Sequence, residues 1–310
     1  MKDIRPALLR TGMGCFAFAA GISLFNVLFL PYARANYGYS AAITLGVYAA
    51  ALCALLGAGR SIGRMEKDKA EKAARVLAPV FLTALFVVQV VLGYWMEYTP
   101  RGDNFMLYNG SQMLARDGNF DAYPDFGLYL SRFSNQWGFL LMLTALFRLL
   151  GAWGVTHFFF PLVVLQAALY VLGIRSALRI ARRLSGAYGE IMAMILLAVC
   201  LPLNLAASVL YTDTFSLPFI LMALDLALCA RDAESAKGQI GYACLCGAVT
   251  LLGCQIKMTV LIALIAAGGV WLMTMKPVRA LVSVALCGAM MFAGTTAVKN
   301  CMLDHVLDPA

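Results

Sequence analysis

The sequence predicts an all-α fold, a polytopic bundle of transmembrane helices, and three observations support this. Of the 310 residues, 62% are hydrophobic and only 13% are charged, which is about half the charged fraction of an average soluble domain. The mean hydropathy is +0.80. The apolar residues form long runs, and many reach the roughly 20 residues that a helix needs to cross the hydrocarbon core of a bilayer. The lipid bilayer is therefore the predicted partner of most of the chain.

Ten apolar runs are candidate spans. The first follows Lys2, Arg5 and Arg10 without a small-residue cleavage site, so we interpret it as a retained span and not as a signal peptide. No internal repeat or low-complexity linker separates the runs, which predicts a single transmembrane domain over residues 1–310. The runs lie near residues 8–30, 41–59, 76–96, 136–151, 155–174, 189–209, 214–230, 240–256, 258–275 and 279–298.

The basic residues indicate which runs cross the membrane. Lysine and arginine are enriched in cytoplasmic loops, and residues 60–75 hold six of them. If all ten runs crossed, residues 175–188, with four arginines, would lie outside. That position would conflict with the enrichment of arginine in cytoplasmic loops. The conflict disappears if the segment 136–151, which is short and carries Arg148, re-enters the membrane or lies along its outer interface. About nine spans then remain, with the N-terminus cytoplasmic and the C-terminus outside a cell membrane.

Several other classes of function are not supported. The net charge of +8 does not indicate a nucleic-acid partner, because the basic residues lie in short clusters between apolar runs. Eight of the nine cysteines lie in apolar runs, where a thiol behaves as a small hydrophobe, so no disulfide framework is predicted. His157 and His305 lack the spacing of metal ligands.

The predicted topology puts three polar groups on the outer face. The first is the loop 97–135, which includes Asp103 and is expected to carry juxtamembrane helices. The second is Asp213, at the outer junction of two runs, and the third is Lys257, which interrupts about 35 apolar residues. Each has a structural alternative: Asp103 as the N-cap of a helix over 104–116, Asp213 as a helix cap, and Lys257 as a turn residue.

Carboxylates and cations on one face favour chemistry on an anionic, lipid-linked substrate. A carboxylate can act as a general base toward a hydroxyl or amine acceptor. Arginine and lysine can hold a phosphate and stabilise the negative charge that develops on a leaving group.

The outer residues also resemble those of a known family. Their pattern resembles the first outer loop of GT-C membrane glycosyltransferases, closest to the protein mannosyltransferase and aminoarabinose transferase branch, and the resemblance covers about residues 76–275. Tyr211-Thr212-Asp213 resembles the second acidic outer site of that family. The loop residues that carry the resemblance are Gly102-Asp103, Tyr108, Ala115, Asp117-Gly118, Tyr129-Leu130 and Asn135-Gln136.

The resemblance implies an inverting glycosyltransferase of the cell envelope. It would move a hexosyl or pentosyl group from a polyprenyl-phosphate carrier to an extracytoplasmic acceptor. Asp103 would be the catalytic base or acceptor-binding carboxylate, and Arg132 and Lys257 would contact the donor phosphate. Some members of the family use a divalent ion, which the resemblance leaves open here. Further substrate contacts are expected from Asp213, Tyr108, Tyr129, Asn135 and Gln136.

The sequence departs from the family pattern in three ways. Phe133-Ser134 stands where the family has an aromatic–proline pair, two extra spans precede the loop, and family members continue for several more spans. The resemblance thus implies a minimal or truncated member, or one that needs a partner chain. Two other functions stay open: a carrier or flippase for lipid-linked sugars, and a non-catalytic subunit of a glycan assembly.

Overall fold

The computed structural model describes residues 41–96, 100, 102–120, 124–200 and 209–307. These residues are all-α and form ten α-helices. The chain divides into two units, Met1–Met65 and Glu66–Ala310, and each is described by itself. The predicted span 8–30 and the loop residue Arg101 lie outside the described residues.

Five of the helices are long and apolar enough to cross a membrane, namely Lys67–Met96, Phe159–Val199, Thr212–Asp232, Ala236–Ile256 and Pro277–Met302. The all-α, multi-span prediction is confirmed at that level, while the count of about nine spans stays a prediction. The first unit contributes α1 (Ala41–Gly63). The second contributes α2 (Lys67–Met96), α3 (Asp103–Arg116), α4 (Pro124–Arg132), α5 (Trp137–Ala152), α6 (Phe159–Val199), α7 (Thr212–Asp232), α8 (Ala236–Ile256), α9 (Leu261–Thr274) and α10 (Pro277–Met302).

Helix α6 is two helices joined by a two-residue turn. Ser185 (φ −140°, ψ 18°) and Gly186 (φ 63°, ψ −156°) leave the helical region, and the positive φ of Gly186 favours glycine. A Cβ on Gly189 would lie 2.7 Å from the carbonyl oxygen of Ala181, so the chain after the turn closely approaches the helix before it. The four arginines of 175–188 therefore lie on the first helix, at its end, where the sequence predicted a loop.

Helix α7 is the central helix of the second unit. It packs against α6, α8 and α9, and small residues allow a close approach. A Cβ on Gly173 of α6 would lie 2.6 Å from the Cα of Pro218 in α7. The indole N–H of Trp271 in α9 donates to the carbonyl oxygen of Ala227 at 3.0 Å. Close packing over small residues is typical of helices that associate within membranes.

Helix α5 corresponds to the predicted re-entrant or interfacial segment 136–151. It has 16 residues and is not among the candidate spans. It packs on α3: the hydroxyl of Ser111 donates to the carbonyl oxygen of Leu140 at 3.2 Å. The guanidinium of Arg148 donates to the carbonyl oxygen of Leu114 at 2.9 Å. Arg148 thus fixes a helix of the predicted outer loop, a role compatible with an interfacial position.

Candidate functional site

Four of the predicted site residues come together at the start of α7, and Tyr211 joins them. The ammonium group of Lys257 pairs with the carboxylate of Asp213 and lies 5.8 Å from the centroid of the Tyr211 ring. Tyr129 of α4 is close enough to Asp103 and Tyr211 for both to affect its phenol. We call these five residues the candidate site, and the end of the second unit that holds them the lysine end.

The ion pair joins two helix termini of opposite polarity. Asp213 lies in the first turn of α7, and Lys257 is the C-cap of α8. Both charges are favoured by the helix dipoles, which prefer acids at the N-terminus and bases at the C-terminus. The side chains are 55% and 31% exposed, respectively, and such a pair contributes at most about 1 kcal/mol. A phosphate at Lys257 would have to share it with Asp213.

The backbone of Tyr211 is held by a side chain in the first turn of α7. Its N–H donates to the hydroxyl of Thr214 at 3.3 Å, and the same hydroxyl accepts from the side-chain amide of Gln166 at 2.7 Å. Gln166 is 1% exposed, so this anchor comes from inside the bundle. Tyr211 lies two residues before Asp213 in the same sequence motif. This proximity was the signal in the sequence that Tyr211 belongs to the site.

Asp103 is the first residue of α3, and the N-cap is Gly102 (φ 57°, ψ −132°). The alternative that Asp103 caps the helix is therefore wrong, and a glycine at 102 is favoured by its positive φ. The carboxylate is exposed and stands where the helix dipole favours a negative charge. Among the described residues, no lysine or arginine forms an ion pair with it.

Tyr129 presents a protonated phenol beside that carboxylate. Its hydroxyl oxygen is buried and makes no well-aligned hydrogen bond with any described residue. Burial raises the pKa of Tyr129 most, and the adjacent Asp103 raises it further, because a negative charge disfavours phenolate; Tyr211 adds a smaller effect in the same direction. The phenol therefore keeps its proton and can donate it to Asp103 or to a bound oxygen.

Arg132, Asn135 and Gln136 are not among the five residues of the candidate site. Arg132 ends α4 three residues after Tyr129, is exposed, and forms no ion pair with any described residue. Asn135 lines a cavity of about 420 Å³ together with Gln255 and Lys299. The side-chain oxygen of Gln136 is buried without a hydrogen-bond partner among the described residues. The sequence did not indicate Lys299 or Gln255, because neither belongs to a motif.

Tyr108 is not among the five residues of the candidate site, although it lines a small cavity with Leu210 and Phe215, which flank Tyr211 and Asp213 in the sequence. It also lines a cavity of about 670 Å³ with His157 and Gln112, and its ring packs edge-on against Phe147 at 5.6 Å. The resemblance grouped Tyr108 with Asp103 because both belong to the motif of the first outer loop. They are five positions apart on α3, which turns their side chains about 140° apart.

No metal site is evident in the part of the chain that the structure describes, where no group of three or more His, Cys, Asp or Glu side chains could hold an ion. Asp213, the second acidic group of the predicted site, is paired with Lys257 instead.

A second charged cluster lies at the C-terminal end of α7, which we call the arginine end. Asp225 is 3% exposed and pairs with Arg179 at 3.2 Å and with Arg183 at 3.6 Å. Glu190, 9% exposed, pairs with Arg182 at 2.8 Å across the turn of α6. The arginines that predict a cytoplasmic position thus also neutralise buried acids. Further ion pairs join Arg183 to Asp232 and Arg182 to Glu71.

No family model, curated protein or solved structure matches this chain. The resemblance to GT-C glycosyltransferases therefore depends on the short motifs given above. What the chain does is inferred from its residues and their contacts.

Proposed function

We propose that this chain is an inverting glycosyltransferase that moves a sugar from a polyprenyl-phosphate carrier to an acceptor outside the cell membrane. One observation supports the proposal most. Asp103, which has no ion pair among the described residues, lies beside a protonated phenol at the same end of the unit as Lys257 and Asp213. Three sequence-distant segments thus contribute a base, a hydroxyl donor and a cation.

In the proposed reaction, the acceptor oxygen attacks the anomeric carbon from the face opposite the phosphate. Asp103 accepts the proton of the acceptor hydroxyl as the new bond forms. The bond from the anomeric carbon to the phosphate oxygen breaks, and its electron pair leaves on the phosphate. Lys257, shared with Asp213, stabilises that negative charge, and Tyr129 orients the Asp103 carboxylate.

We further propose the topology of about nine spans, with the lysine end outside. The helices alternate in direction between the two ends, in agreement with this arrangement. Lys257, which ends α8, meets the start of α7, and Gln239, near the start of α8, accepts a hydrogen bond from Arg279 of α10 at 3.1 Å. The arginine end then faces the cytoplasm, as the positive-inside rule requires.

The direct test uses the purified protein in lipid nanodiscs with a radiolabelled polyprenyl-phosphate sugar and a cell-envelope extract as the source of acceptor. We expect release of polyprenyl phosphate and transfer of the label to the extract, both lost in Asp103→Asn. Movement of the intact lipid across vesicle membranes without release would instead indicate a carrier. Neither activity, despite a folded protein, would indicate a non-catalytic subunit.

A further inference from the structure

An aromatic cavity lies apart from the five residues of the candidate site. It has a volume of about 670 Å³, within the range of about 300–1,000 Å³ that is typical of small-molecule sites. It is formed where α2 ends, along α3, and where the chain enters α6. Six aromatic and three polar side chains line it: Tyr94, Trp95, Tyr108, Phe158, Phe159 and Phe160, with Gln112, Thr156 and His157.

The rings around this cavity support one another. Tyr94 and Phe160 meet edge to face, with centroids 5.6 Å apart and an angle of 81°. Phe158 stacks on Phe147 at 4.6 Å, and Phe147 in turn meets the edge of Tyr108 at 5.6 Å. These are favourable aromatic geometries, so the rings of Tyr94, Phe160, Phe158 and Tyr108 are supported before any ligand binds.

The polar groups of the cavity are hydrogen-bonding groups. Of the described residues that line it, none is a carboxylate, a lysine or an arginine. Burial raises the pKa of Tyr108, and a hydrogen bond from Gln112 partly offsets that shift, so the phenol stays protonated. The described walls thus combine flat apolar faces with amide, hydroxyl and imidazole groups.

A sugar ring has the matching chemistry, since its C–H faces are apolar and its edge carries hydroxyl groups. We propose that the aromatic cavity binds a neutral saccharide, with a ring stacked on an aromatic face and hydroxyls bonded to Gln112, Thr156 and His157. Tyr108 follows Asp103 by about 7.5 Å along the axis of α3. The identification of this saccharide as part of the acceptor rests on the proposed function. The inference that the cavity binds a saccharide does not.

The cavity has room for more than one ring. A neighbouring cavity of about 480 Å³ shares Gln112, Thr156 and Phe158 with it. The second cavity is also lined by Arg116 and Arg148, so a longer saccharide would extend along α3 toward these arginines and away from Asp103.

The test measures saturation-transfer difference NMR on nanodiscs with six neutral probes: the methyl glycosides of glucose, galactose, mannose and N-acetylglucosamine, and the disaccharides maltose and lactose. We expect transfer to ring C–H protons of at least one probe. Trp95→Ala should weaken that binding at least tenfold. Trp153→Ala is the matched control and should leave it unchanged, because the two indoles are 80% and 74% exposed and only Trp95 lines the cavity.

A second variant, Thr156→Val, replaces a proposed hydroxyl partner of the saccharide with a methyl group and should also weaken binding. Absence of transfer for all six probes would overturn the inference, as would binding that survives both variants. In either case the aromatic residues would serve only as an anchor at the membrane interface. Saccharide binding without sugar transfer would contradict the proposed function alone, and transfer by a protein whose cavity binds no probe would contradict this inference alone.

Discussion

The acidic side chains at the two ends of α7 differ in burial and in ion pairing. Over its 21 residues the helix rises about 30 Å, a distance close to the thickness of a hydrocarbon core. At the arginine end, Asp225 and Glu190 are buried and each pairs with at least one arginine. At the lysine end, Asp213 is half-exposed in its ion pair and Asp103 has no ion pair among the described residues.

The difference follows from the cost of burying charge. An ionised carboxylate that loses water must be compensated by a counter-ion and hydrogen bonds. The acids at the arginine end therefore have to keep their arginine partners. The exposed Asp103 carboxylate keeps its water and needs no partner for stability. A substrate can therefore displace that water and contact the carboxylate. At the arginine end, a substrate would first have to break the ion pairs of buried acids. The following experiments test this contrast.

The largest expected effect is all-or-none labelling from the outside of the cell. In a background without native cysteines, Asp125→Cys on α4 should react with an impermeant maleimide added to intact cells, and Ser185→Cys in the turn of α6 should not. Both positions are exposed, so the difference reports sidedness and not burial. After permeabilisation both should react. External labelling of Ser185→Cys would place the two charged ends on sides other than those proposed.

Asp103→Asn should reduce turnover by on the order of 10²–10⁴-fold, the usual contribution of a positioned general base. The amide keeps the size of the side chain but cannot accept the proton. Donor binding and the unfolding temperature should be nearly unchanged, because the carboxylate is exposed and makes no ion pair among the described residues. Initial rates of polyprenyl-phosphate release check the prediction.

The control for this variant is Asp125→Asn, which removes another exposed carboxylate from a first helical turn. It should keep full activity. Equal activity of both variants and the unmodified protein would show that Asp103 is only a solvated surface residue.

Much of the bundle could be predicted from the sequence, because length and hydropathy directly reflect the bilayer. The apolar runs near 214–230, 240–256 and 279–298 lie inside α7, α8 and α10. The turn of α6 was harder to predict, since Ser185 and Gly186 interrupt the helix for only two residues. A loop was expected there because arginines usually indicate one, and nothing in the periodicity shows that they extend a helix instead.

The candidate site was only partly predictable. Motif spacing and sidedness suggested Asp103, Asp213 and Lys257, but the pairing of the last two depends on how α7 and α8 pack. The separation of Tyr108 from the other residues depends on the rotation of α3. The aromatic cavity joins α2, α3 and the entry to α6, and no local pattern in the sequence relates those three segments.

Asp225→Ala should destabilise the protein by about 1.5–3 kcal/mol, the usual range for the loss of an interaction with a charged group. Arg179 and Arg183 would lose a carboxylate that is 3% exposed. Thermal unfolding in detergent measures the loss. Asp232→Ala is the matched control, because it removes an acid from the same Arg183 but one that is 42% exposed, and its effect should be about 1 kcal/mol or less. Equal effects would contradict the contrast between the two ends.

Gly186→Ala should cost about 1–3 kcal/mol, since its backbone conformation is one that essentially only glycine adopts. No atom of the described residues lies within 4 Å of the added Cβ, so the cost comes from the backbone. Gly241→Ala in α8 also meets no atom within 4 Å, but it is helical and should be neutral or slightly stabilising. Unfolding temperatures compare the two, and a neutral Gly186→Ala would mean that the turn of α6 is not formed as described.

Lys257→Met should have the smallest effect on stability, below about 1 kcal/mol, because its ion pair is partly exposed. Donor binding should weaken about tenfold, as expected for the loss of one charge-assisted contact of about 1.4 kcal/mol. Lys237→Met on the same helix lies at the arginine end and should change neither quantity. A double-mutant cycle with Asp213→Asn separates the two roles of Lys257. A coupling energy well above 1 kcal/mol in unfolding would show that the pair stabilises the fold, as the arginines do at the other end, and unchanged donor binding would remove Lys257 from the candidate site.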